Sequence, residues 1–89
     1  MTQTTEIDTT LRTLLSDVLG LTPVRAAALA ADSGLFGALP ELDSMAVASL
    51  LTEIEDRFDI MIDDDDVDGE MLGTYGDLLA FITRKRREA

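Results

Sequence analysis

The sequence predicts an all-α domain: a four-helix bundle with three long helices, a short third helix and a long first loop. Two observations carry this. Apolar residues recur at i, i+3, i+4 and i+7 in three separate stretches, and nowhere do they alternate with the period of two that marks a half-buried strand. The chain is also short. Its 89 residues suit one unit, residues 1–89, that buries about 60–65% of its unfolded surface. Residues 1–4 and 85–89 are expected to be loose ends.

The elements follow in order. Ile7, Leu11, Leu14, Leu15 and Val18 form one stripe of a helix over about 5–19, and Gly20 supplies its stop. Residues 20–43 are a long connection. Within it Thr22-Pro23 reads as an N-cap followed by a proline at the first helical position, so VRAAALAA is expected to make a short helix ending near Gly34. The segment GLFGALPEL is expected to cross the bundle with Leu35, Phe36 and Leu39 pinned inward. Val47, Leu50, Leu51, Ile54 and Phe58 define the next long helix, which starts at Asp43-Ser44 with Asp43 as N-cap. A short helix over about 64–71 is expected to expose its aspartates and bury Val67 and Met71. The last helix opens on Thr74 and Asp77, a capping-box-like pair, and buries Tyr75, Leu78, Leu79 and Ile82.

Composition narrows the function. No His, Cys or Trp is present, which removes histidine acid–base chemistry, a Ser-His dyad, disulfides and thiolate metal sites. So short a chain also has little room to enclose a substrate, so an enzyme is not expected. No run reaches the roughly 18 apolar residues of a membrane span, and MTQTTEID lacks the features of a secretory signal. A cytoplasmic location and no stable membrane insertion are the expectation. The net charge is −11, and residues 26–83 hold fourteen acids against Arg57 alone. Such a surface repels nucleic acid and steers toward basic protein partners. The basic run Arg84, Lys85, Arg86 and Arg87 is read as complementing the negative end of the last helix.

Asp-Ser at the head of an amphipathic helix carries the functional reading. A serine there sits beside unpaired backbone N–H groups and the positive end of the helix dipole, a favourable field for a phosphate. On its own, such a serine is a capping residue. The context is larger, however: Leu42-Asp43-Ser44-Met45, then a helix ending Ile54-Glu55-Asp56-Arg57-Phe58, then Ile62, the acids 64–71 and the apolar helix through Leu79 and Ile82. Over about residues 5–83 this resembles the acyl carrier protein family, whose signature is Asp-Ser-Leu at the start of the second helix.

The resemblance implies a monomeric carrier, not an enzyme, in which Ser44 receives 4′-phosphopantetheine from coenzyme A by the action of a phosphopantetheinyl transferase. Asp43 and Met45 would flank the attachment point. The arm would hold acyl groups as thioesters for acyl-loading and acyl-transfer enzymes with basic docking surfaces. Glu53, Glu55, Asp56, Asp63 and Asp64 are the residues expected to meet them. Met45, Val67 and Met71 are candidates to shelter an acyl chain. Met45 replaces the family's leucine, and Ala46 and Ser49 stand where the family often has acids. These departures, with the long apolar first loop, point to a specialised lipid, polyketide-like or exopolysaccharide-associated pathway.

Three other features compete. Asp32-Ser33 is a second Asp-Ser pair, but Gly34-Leu35-Phe36-Gly37 after it ends a helix instead of starting one. Asp64, Asp66, Asp68 and Gly69 match the first half of an EF-hand loop, yet position twelve is Tyr75 where a bidentate glutamate is required. The run is read as a solvated acidic face. A peptidyl or D-alanyl carrier shares the serine and the bundle; Asp before Ser44 favours the acyl reading.

Overall fold

The computed structural model describes residues 2–68 and 70–88, and among these its regular elements are all helical. Helix α1 spans Thr2–Leu19, α2 Pro23–Ala27, α3 Ser44–Phe58 and α4 Tyr75–Glu88, with a 3₁₀ turn at Asp64–Asp66. The all-α bundle is as expected, and no described helix is long and apolar enough to cross a membrane. α1 begins at Thr2 and α4 ends at Glu88.

The three long helices bury their stripes against one another. Leu11, Leu14 and Leu15 of α1, Leu50 and Ile54 of α3, and Leu78 and Ile82 of α4 have no exposed surface. Tyr75 completes this core, with its hydroxyl donating to the Asp8 carboxylate. Arg12 lies 4.6 Å from the centre of the Tyr75 ring and pairs with Asp8 at 3.1 Å. Its Nη1 donates to the carbonyls of Ala26, Ala27 and Leu29 at 2.7, 3.2 and 2.9 Å, closing the open end of α2. One guanidinium therefore ties together α1, α2 and α4. Composition alone gave no sign of this.

The connection 20–43 is held by backbone pairing. Gly20, at φ +72°, ends α1, and Thr22 caps α2 by accepting the Arg25 N–H at 3.1 Å. Beyond α2 the chain runs antiparallel to 72–76. Leu35 and Phe36 donate to the carbonyls of Gly73 and Leu72, while Tyr75 and Gly76 donate to those of Ser33 and Ala31. The chain then turns at 36–38, with Ala38 and Leu39 both donating to the Leu35 carbonyl. Leu35, at the start of this turn, is buried, whereas Phe36 within it is 51% exposed and not pinned inward as expected; Leu39 is half-buried.

The short third helix is also less than the spacing suggests. Only one 3₁₀ turn forms, and Val67 already adopts an extended ψ of 103°. Aspartate side chains compete with the helix for backbone donors. Here Asp66 accepts the Asp63 N–H at 3.0 Å and Asp68 accepts the Met71 N–H at 2.9 Å, so each caps a turn in place of extending one helix. Met71 is buried as expected, but Val67 is 40% exposed.

Candidate functional site

Asp43 and Ser44 occupy the start of α3. Asp43 is the N-cap, with extended backbone and Oδ1 accepting the Ala46 N–H at 2.8 Å, while its carbonyl accepts the Val47 N–H at 3.0 Å. Ser44 is the first helical residue. Its side chain is exposed, and its hydroxyl makes no hydrogen bond among the described residues. Glu41, two residues before the cap, is held by Arg25 at 2.6 Å, which fixes the approach of the loop to the helix.

Ser33 presents the opposite picture. Its hydroxyl accepts the Ala30 N–H at 2.8 Å and its own N–H donates to the Ala30 carbonyl, so it closes a turn. A side chain spent on its own backbone is not offered to a partner.

An apolar groove of about 290 Å³ begins at Ser44 and is lined by Phe36, Val47, Val67, Leu72 and the edge of Asp68. Of the three residues expected to shelter an apolar group, Val67 alone lines it. Met71 belongs to the core, and Met45 is 83% exposed and outside the groove. Phe36, Val47 and Leu72 line it as well, although the sequence pattern does not mark them for this. The readable signal was in GLFG: glycines on both sides of Leu35-Phe36 mark a turn, in which two adjacent large apolar residues need not both face inward.

The acids expected on α3 are placed away from the serine. Glu53, Glu55 and Asp56 are nine to twelve residues along α3, about 14–18 Å at 1.5 Å per residue. They differ in availability. Glu53 pairs with Arg57 at 3.4 Å, and Arg57 also holds Asp17 at 3.1 Å. Glu55 accepts the Ile62 N–H at 2.8 Å, so its carboxylate shapes the loop after α3. Asp56, Asp63 and Asp64 are exposed. Asp66 is not simply solvated as expected: it pairs with Lys85 at 2.8 Å, and this ammonium beside it holds its carboxyl below the usual range. The basic run at the C-terminus likewise acts across the fold, since Arg86 donates to the Phe58 carbonyl that ends α3.

The calcium-like pattern does not assemble. Asp66 faces Lys85, Asp68 caps Met71, and Tyr75 is buried in the core; Gly69 lies outside the described residues. Among the described residues no group of carboxylates is arranged to hold a metal ion.

Comparison with known proteins agrees with this geometry. The family model for the phosphopantetheine attachment site matches residues 9–82. An acyl carrier protein from an Exiguobacterium species is 44% identical over 43 residues, which are 48% of this chain and 52% of that protein. The match thus spans about half the length of that curated relative. The solution structure of a holo acyl carrier protein from Nitrosomonas europaea superposes with a TM-score of 0.78 at 37% identity, over 93% of this chain and 96% of that one. An exposed serine at the head of α3, an apolar groove beside it and a match that runs nearly the whole chain converge: the protein belongs to the acyl carrier protein family, with a domain for attachment of 4′-phosphopantetheine.

Proposed function

We propose that Ser44 is the attachment point, and that this chain carries acyl groups on its 4′-phosphopantetheine arm between partner enzymes without itself catalysing a reaction. The observation that carries the reading is the state of the Ser44 hydroxyl: exposed, without a hydrogen-bond partner among the described residues, at the first position of a fifteen-residue helix. A phosphodiester at that oxygen gains the positive end of the α3 dipole and the first-turn N–H groups that Asp43 does not occupy. The chain has no cysteine, and the arm supplies the thiol on which a thioester forms.

The residues around the serine have supporting roles. Asp43 holds the helix start and so presents Ser44; Met45 offers an exposed apolar contact beside the attachment point. The transferase and the acyl-handling enzymes are expected to bring basic surfaces to Asp56, Asp63 and Asp64, with Glu53 adding to the field and Glu55 holding the loop that displays them. Exposed pairs of this kind contribute about 0.2–1 kcal/mol each, so recognition is distributed and salt-sensitive. The absence of acids at Ala46 and Ser49 supports a specialised pathway with its own partners. The chain works as a monomer in the cytoplasm, where coenzyme A is available to the transferase.

Incubation with coenzyme A and a broad-specificity phosphopantetheinyl transferase, followed by intact-mass spectrometry, tests the assignment. The unaltered chain and Ser33→Ala should each gain one arm, and Ser44→Ala none. Loading of Ser44→Ala would refute it.

A further inference from the structure

The end of the acidic segment, residues 65–68, stands between two clefts. On one side is the apolar groove that begins at Ser44, walled here by Val67 and Asp68. On the other is a more polar cleft of about 430 Å³, bordered by Asp65, Asp66 and Asp68 and, from α4, by Phe81 and Arg84. Asp68 lines both. A wall with open space on each face has little packing to hold it, the usual mark of a segment that opens locally.

Its internal bonds are those of one turn. Asp66 donates to the Asp63 carbonyl at 2.9 Å, Val67 to the Asp64 carbonyl at 3.2 Å, and Asp63 to Asp66 Oδ2 at 3.0 Å. Four consecutive aspartates, 63–66, work against the turn by repulsion. The opposing cation comes from far along the sequence. Lys85 Nζ lies 2.8 Å from Asp66 Oδ2, the same oxygen that accepts the Asp63 N–H, and the two side chains are only 15% and 18% exposed. Lys85 also neutralises one of the four charges at the point where the turn closes.

We propose that Lys85 is a positioning residue for the groove beside Ser44: its ion pair with Asp66 latches the acidic wall, and a lysine or arginine from a docking partner that takes Asp66 releases it. A partner reading the acidic face would in this way also change the shape of the groove, though it touches no groove residue. The ammonium that Lys85 supplies from within has the chemistry a basic partner supplies from outside. The latch belongs to the chain before any arm is attached, so its test is independent of the assignment of Ser44.

Hydrogen exchange of the Asp63, Asp66 and Val67 amides, followed by NMR on the full unloaded chain with α3 amides as reference, reads the latch directly. Lys85→Met keeps the apolar stem and removes the charge. It should accelerate these amides by at least about threefold while α3 is unchanged, and Lys85→Arg should restore slow exchange. Penta-lysine at low salt should accelerate the same amides in the unaltered chain and add nothing in Lys85→Met. Equal exchange in all three chains overturns the latch. Acceleration spread through α3 overturns it too, since Lys85 would then support the whole fold. No response of the unaltered chain to penta-lysine overturns release by a basic partner.

Discussion

A single carboxylate decides how Ser44 is presented. Asp43 satisfies the Ala46 N–H through its side chain and the Val47 N–H through its carbonyl, so α3 begins at Ser44 and no later. Replacing a capping aspartate by alanine costs about 1 kcal/mol, and asparagine serves nearly as well. Asp43→Ala should therefore lower the free energy of unfolding by that amount, read as an earlier denaturant midpoint at unchanged slope, while Asp43→Asn changes it little; equal loss in both would mean that the charge, and not the cap, matters. The acids along α3 separate at the same scale. Asp56→Asn and Asp64→Asn should weaken transferase binding at low salt with unfolding unaffected, whereas Glu55→Ala should also loosen the loop at Ile62, as amide exchange would show. The serine and its cap were legible in the sequence because both roles are local, set by residues one to three positions apart. The groove was not, because Phe36, Val47 and Leu72 meet only once three distant segments have packed. Phe36 in particular lies in the turn at 36–38 that follows the pairing with 72–73, and that turn leaves it exposed.

The first connection shows how a segment without long helices becomes rigid. Its backbone is stitched to the segment before α4, and the stitch depends on close approach. A Cβ at Gly76 would lie 2.8 Å from the Ala31 carbonyl oxygen and 3.1 Å from the Ala31 Cβ, both part of the opposing strand of chain. Neither neighbour can move without breaking the Gly76 N–H bond to that carbonyl, at 2.9 Å. Gly76→Ala is expected to cost about 1–3 kcal/mol, the usual range for overpacking, even though alanine is the better helix former. A melting temperature at or above that of the unaltered chain would show that the stitch does not constrain the loop. Helical periodicity exposed α1, α3 and α4 in the sequence because each is long enough for its stripe to repeat. The segment 64–71 has the spacing of a continuous short helix without forming one, for an opposite reason. Its aspartates satisfy backbone donors themselves, and Val67 and Met71, four residues apart, share a helical spacing without sharing a helix.

At the scale of the whole molecule the net charge of −11 dominates. Ion pairs such as Asp8–Arg12, Glu41–Arg25 and Asp66–Lys85 are set against repulsion among the many remaining acids. Salt screens both, but the repulsion is longer in range and more exposed, so added sodium chloride should raise the melting temperature from its low-salt value. A fall with salt would mean that the specific pairs outweigh the net charge. The pH dependence has a definite sign at each end. Burial works to raise the Asp8 carboxyl, but the Tyr75 hydroxyl and the Arg12 guanidinium outweigh it and hold it below its ordinary value; Arg25 does the same for Glu41 and Lys85 for Asp66. These carboxylates stabilise fully above their unfolded values of about 4 and lose that contribution as pH falls through their lowered folded values. Tyr75 behaves in reverse. Its burial first, and then the Asp8 carboxylate that accepts its proton, push the phenol well above its ordinary value of 10.0. Its contribution is complete below that value and is lost as pH rises beyond it, because the unfolded chain ionises first. Thermal melts should thus show loss below about pH 4 and again above about pH 10, with these groups contributing no slope between.

The proposed carrier role depends on where the prosthetic arm attaches, and fragmentation mass spectrometry of the loaded chain measures that directly. The added mass should fall on the peptide containing Asp43, Ser44 and Met45, with its attachment at Ser44. An arm found on Ser33 or any other hydroxyl, or a chain that gains no mass beside a competent transferase, would contradict it.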